Sequence, residues 1–203
     1  MTDDLTRADA QVLGADDMVA GGEAGGVRLR FLATGAQTAG ALTVFEYTAP
    51  PGLAGPPLHI HRDEDEAFFV LDGELTIQSG EDRRLVGPGT YVWAPRGVPR
   101  GFANLSNEPA RFLGWVTPSG LEVMLFEILD YVRDAAPNID PARMVEINER
   151  FVEVVGPPIG MRPRRSGLRP SNAETSRKRC VKRRSCGSAA ALHPRLRGGG
   201  DRR

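Results

Sequence analysis

The sequence predicts an all-β barrel or sandwich, followed by two helices and a basic tail without structure. Three observations carry that prediction. Short alternating apolar runs, separated by turn residues, extend from Val27 to Thr117. After Ser119 the apolar residues change to helical spacing. Beyond Ile159 there is no Phe, Tyr or Trp, and arginine dominates.

Residues 1–25 are rich in Gly, Ala and Asp with weak periodicity, and are expected to form a loose arm. Val27 to Leu32 alternates in the manner of a half-buried strand, and Ala41 to Tyr47 follows after a Gly-containing turn. Pro50-Pro51-Gly52 breaks that strand. Glu66 to Leu71 and Glu74 to Gln78 flank Asp72-Gly73, a strong hairpin signal. Further strands are expected at Arg83 to Val86, Thr90 to Ala94, Arg100 to Asn104 and Ala110 to Thr117. So many short strands with turns between them indicate a sandwich or barrel over residues 26–118.

Residues 119–158 read as helical. Ser119 and Glu122 have capping-box spacing ahead of an apolar stripe from Leu121 to Val132. Asp140-Pro141 has the cap-then-proline order of a second helix, whose stripe of Met144, Ile147, Phe151 and Val155 is closed by Gly156-Pro157-Pro158. Both stripes are expected to pack on the barrel or on a second subunit.

The formal net charge of zero conceals an asymmetry. Of the 26 basic residues 12 precede residue 159, against 24 of the 26 acidic ones, so an acidic domain of net charge about −12 carries an oppositely charged appendage. The appendage, 159–203, has too little apolar surface to offset chain entropy and is expected to be disordered. Its Arg177-Lys178-Arg179 and Lys182-Arg183-Arg184 clusters would attract a polyanion, but they lack aromatic interleaving, so nucleic acid is a weak expectation. Both cysteines, Cys180 and Cys186, lie there, so no disulfide staples the barrel. The amino terminus lacks a signal pattern and no apolar run approaches a membrane span, so a soluble cytoplasmic protein is expected.

His59 and His61, at i and i+2, fall on one face of a strand. Glu66 follows five residues later, and two neutral imidazoles with a carboxylate suit a divalent transition metal. The charge run Arg62-Asp63-Glu64-Asp65 between them reads as a solvated turn.

These residues, with Gly73, resemble the first motif of the cupin superfamily, G-x5-H-x-H-x(3,4)-E-x6-G. The leading glycine of that pattern would fall on Leu53, with Gly55 nearby. Gly89, Pro95, Gly97 and Asn104 resemble the second motif, G-x5-P-x-G-x2-H-x3-N, with Arg100 in the histidine position. The resemblance covers roughly residues 27–118, and the wording Glu66 to Gly73 is similar to small single-domain, quercetin-dioxygenase-like cupins.

That resemblance implies a double-stranded β-helix, or jelly roll, with His59, His61 and Glu66 converging inside as ligands for Fe, Mn, Ni or Zn. It implies Arg100 entering from an opposing strand, where it could fix an anionic group of a substrate. Phe68, Phe102 and Trp93 could line such a pocket, though each reads first as a core-packing residue. The implied function is a metal-dependent, dioxygenase-type enzyme on a small organic molecule. The alternative is a metal-free, non-catalytic binding protein in which Arg100 pairs with Glu66. A homodimer is the expected assembly.

Overall fold

Alternation in the sequence becomes strand structure in the computed structural model, which describes residues 11–161. The elements are β1 (Ala20–Ala24), β2 (Val27–Ala33), α1 (Gly35–Thr38), β3 (Thr43–Ala49), β4 (Leu58–Ile60), β5 (Asp65–Asp72), β6 (Leu75–Ser79) and β7 (Asp82–Val86). They continue with β8 (Tyr91–Ala94), β9 (Arg100–Ala103), β10 (Ala110–Thr117), α2 (Leu121–Ala135), α3 (Pro141–Glu149) and β11 (Glu153–Gly156).

A six-stranded sheet, β1-β2-β3-β10-β5-β8, faces a five-stranded sheet, β11-β4-β9-β6-β7, and every recorded pairing is antiparallel. This is the jelly-roll double-stranded β-helix. Period two decides what fills it: along β10 the buried residues are Ala110, Phe112, Gly114 and Val116. Phe112 stacks on Tyr47 at 5.2 Å and meets Phe68 and Phe102 edge-on at 5.1 and 5.0 Å. This aromatic cluster joins the two sheets and forms the floor on which the site rests.

The motif residues of no direct chemistry hold the frame. Gly55 has φ +83, and a Cβ there would sit 1.7 Å from the Phe102 carbonyl oxygen, so this loop can cross β9 only with glycine. Asn104 is fully buried; its Nδ2 donates to the Ala49 and Glu108 carbonyls, and its Oδ1 accepts from Ser106. Asp65 grips Arg96 through two side-chain bonds of 2.9 and 3.1 Å, tying the first motif to the second.

Four features differ from the sequence reading. Within the expected N-terminal arm, Ala20–Ala24 is a strand, because its backbone completes the open edge of β2. The second helix stops at Glu149; Glu153 to Gly156 instead alternates and pairs with β4, setting Val154 opposite His59. Val155 is therefore on a strand and exposed. α2 is not capped by Ser119: its N-cap is Gly120, and Glu122 carries the local bonds. Finally, Ile159 is buried and Gly160 N–H donates to the Ala54 carbonyl, so chain expected in the tail is packed on the barrel.

Residues 1–10 and 162–203, with the expected tail clusters, Cys180, Cys186 and His193, lie outside the described residues. No helix among the described residues is long and apolar enough to cross a membrane.

Candidate metal centre and its cavity

β4 presents His59 inward, and His61 follows just past the strand's end. Both are buried, at 6 % and 1 % exposure, and Glu66 arrives from β5 in the other sheet, also buried. One ligand atom from each of the three lies within 4.8 Å of the others. His59 Nε2 and His61 Nε2 are 3.2 Å apart, and His61 Nε2 is 3.7 Å from Glu66 Oε2. Two nitrogens bound about 2.1 Å from one ion, at angles between right and tetrahedral, would stand about 3.0–3.4 Å apart. The spacing fits.

Protonation makes the fit sharper. His59 Nδ1 lies 2.7 Å from the Pro57 carbonyl oxygen, which can only accept, so the proton is on Nδ1 and the lone pair on Nε2. His61 Nδ1 faces Glu64 Oε2 across 3.5 Å, an ion-pair distance, and makes no hydrogen bond among the described residues. This contact also holds the Glu64 carboxyl below its usual range. If both Nδ1 atoms carry protons, two Nε2 lone pairs and a carboxylate converge. If His61 moves its proton to Nε2, its bare Nδ1 faces the Glu64 carboxylate instead. The first arrangement aims two neutral nitrogen lone pairs and a carboxylate at one point, a donor set that suits a divalent cation. Burial, with His61 and Arg100 nearby, pushes His59 down to about 3, so its imidazole is neutral and available as a ligand at ordinary pH.

Arg100 pairs in register with His59 across β9 and β4. Its guanidinium is buried, with Nη1 3.5 Å from Glu66 Oε2 and Nη2 donating to the Pro95 carbonyl at 2.7 Å, while Nε lacks a partner among the described residues. Burial draws this guanidinium below its ordinary pKa, and Glu66 opposes that pull. Arg100, expected as a substrate anchor, is not among the residues around the adjoining cavity; its head is held by the Pro95 carbonyl and Glu66.

A cavity of about 240 Å³ opens on His59, His61 and Glu66. Phe68 and Phe102 are on its wall, as are Leu29, Phe45, Tyr47 and Leu53 of the barrel side. α2 and α3 supply the rest through Met124, Leu125, Ile128, Val132, Met144 and Asn148. The helical stripes thus pack on the barrel and also wall the site, a role their spacing alone does not reveal. Glu64, the Pro57 carbonyl and Tyr47 were likewise missed. Glu64 carried a signal, since it sits three residues beyond His61.

Residues 45–116 match the family model described as a cupin domain. Over 97 residues the chain is 31% identical to a Bacillus subtilis protein named quercetin 2,3-dioxygenase, covering 48% of this chain and 28% of that one. Over 91 residues it is 34% identical to a Hypocrea virens protein named "Probable oxidoreductase virH", covering 41% and 42%. The chain spans less than half the length of either curated relative. The crystal structure of an RmlC-like cupin from Shewanella frigidimarina aligns with 56% of this chain and 96% of that one, at 14% identity and a TM-score of 0.47.

Proposed function

This chain carries a domain of the cupin superfamily, and from that premise we propose a divalent-metal protein with dioxygenase-type activity on a small organic molecule. The observation that carries the reading is the convergence of His59 Nε2, His61 Nε2 and Glu66 Oε2, with His59 Nδ1 committed to the Pro57 carbonyl. Those three residues are the proposed ligands. When bound there, iron, manganese, nickel or zinc would supply Lewis-acid chemistry, and the redox-active ions one-electron chemistry toward dioxygen.

The chain's own residues do the rest. Pro57 orients the His59 imidazole, Glu64 stands 3.5 Å from that of His61, the apolar walls exclude water from the reacting end, and Arg100 approaches Glu66 Oε2, the same oxygen that faces His61. Relatives named as a dioxygenase and an oxidoreductase support the reaction class.

A second reading rests on the 3.5 Å contact between Arg100 and Glu66. There the guanidinium supplies the missing cation, and the domain is a metal-free binding protein. Dioxygen uptake by metal-loaded full-length protein, across a panel of neutral phenols and enols, separates the two. The enzyme reading expects uptake that disappears in His61→Ala. Full metal occupancy with no uptake across the panel would overturn it.

The proposal includes a homodimer. Phe69, Tyr91 and Trp93 are 37–53 % exposed on the outer face of β5 and β8, and Tyr91 stacks on Trp115 at 5.8 Å, an apolar surface suited to a second copy. Sedimentation equilibrium reads the mass.

A further inference from the structure

We propose that the cavity roofed by α2 and α3 selects an uncharged, ring-containing ligand larger than benzene, with Tyr47 as its specificity-determining polar contact. The inference deepens the reading above and rests on it for the location of the site, not for the metal.

The wall decides the charge. No lysine or arginine is among the described lining residues, because Arg100 is turned toward Glu66 and Pro95, and Glu66 is the only carboxylate on the wall. In the metal-free protein an anionic ligand would give up its hydration without gaining a cation on the wall, and would stand near a carboxylate. The volume sets the size. An apolar cavity of about 150 Å³ accommodates benzene, so about 240 Å³ has room for a second fused ring.

Outside the triad the polar side chains on the wall are Tyr47 and Asn148, and Asn148 already donates Nδ2 to the Met144 carbonyl. Tyr47 lines the cavity, its ring clamped between Phe112, stacked at 5.2 Å, and Phe102, edge-on at 5.2 Å. Burial raises its pKa, and no hydrogen bond to its hydroxyl is recorded among the described residues. A rigid, protonated phenol with free hydrogen-bonding capacity in a carbon-lined space is a group suited to one hydroxyl or carbonyl of a ligand. The helices are fixed as part of this site. Glu122 at the head of α2 accepts from Gly35 N–H, Gly120 N–H and the Thr43 hydroxyl. At the other end a Cβ on Gly25 would lie 2.9 Å from Val132 Cγ1, so the β1–β2 turn touches α2 only because residue 25 is glycine.

The test titrates full-length protein with 2-naphthol, naphthalene and 2-naphthoate, before and after chelation, with metal content measured on the same samples. The expected result is that both neutral probes bind in both states. In the chelated protein 2-naphthoate binds at least about tenfold more weakly than 2-naphthol. Tyr47→Phe weakens 2-naphthol about three- to tenfold and leaves naphthalene unchanged. Leu125→Trp, which fills the cavity from a half-buried position, removes both neutral probes.

Failure of the neutral probes to bind, 2-naphthoate binding as tight as 2-naphthol after chelation, or indifference to Leu125→Trp would overturn the ligand class. Equal effects of Tyr47→Phe on 2-naphthol and naphthalene would overturn the role of Tyr47. Metal-free protein that accepts no metal yet binds 2-naphthol as expected would sink the metal reading and keep this one. Metal-loaded protein that binds neither neutral probe would do the reverse.

Discussion

Replacing Arg100 by methionine separates the two cations that compete for Glu66. In the metal-free protein the guanidinium is buried, 3.5 Å from Glu66 Oε2, and bonded to the Pro95 carbonyl at 2.7 Å. Methionine fills much of the volume but leaves a buried carboxylate and a carbonyl without their donor. Removing one member of a buried pair costs about 3–5 kcal/mol. Because 3.5 Å is long for a charged hydrogen bond, the lower end, about 3 kcal/mol, is expected. For a domain near 150 residues that is about 6–12 °C in Tm. A divalent ion at the triad would return a positive charge to the same carboxylate, so saturating metal should raise the Tm of Arg100→Met by more than it raises the wild type. Calorimetry of chelated and metal-saturated samples reads both quantities. A chelated variant melting within about 2 °C of wild type would show that Arg100 does not hold Glu66. Equal metal-induced rises would show that ion and guanidinium do not share it.

Three further outcomes are expected. Arg100→His supplies a neutral ring nitrogen opposite His59 and removes a charge, so metal affinity should rise on the order of ten- to a hundredfold by competitive chelator titration. Glu122→Ala strands three donors, two of them backbone, and should cost about 2–4 kcal/mol in urea unfolding, with weaker 2-naphthol binding as the roof loosens. The Asp65–Arg96 pair should show a pH signature: hydrogen bonds from Arg96 hold the Asp65 carboxyl down to about 2, below its ordinary 3.8. Its stabilisation is therefore complete above pH 3.8 and lost as pH falls through 2, so the urea midpoints of wild type and Arg96→Ala should differ near neutrality and converge at pH 2.

The barrel was legible because period-two patterning and turn residues are local: β5, β10 and the Asp72-Gly73 turn lie where alternation and glycine put them. The candidate triad was legible through spacing, since His59, His61 and Glu66 are close in sequence and one atom of each lies within 4.8 Å of the others. What escaped was long-range. Phe151 to Val155 satisfies a helical stripe and a strand equally well over so short a run, and only pairing with β4 decides for β11. The Ser119–Glu122 spacing resembles a capping box, yet Glu122 is drawn to Gly35 and Thr43, about eighty residues earlier in the chain. Arg100 was placed on the correct strand, but the direction of its head depends on the Pro95 carbonyl, which side-chain identity does not encode. Tyr47 and the inner faces of α2 and α3 look like ordinary core until the cavity between them is seen.

Metal content per chain is the most direct test of the central claim. Full-length protein, purified without chelators and then reconstituted, should hold close to one equivalent of iron, manganese, nickel or zinc by elemental analysis. His59→Ala should lose that equivalent, which separates the triad from any metal held by the cysteines and histidine of the C-terminal segment. No metal after reconstitution, or the same content in His59→Ala, would contradict the account and leave Arg100 as the cation that Glu66 was built to meet.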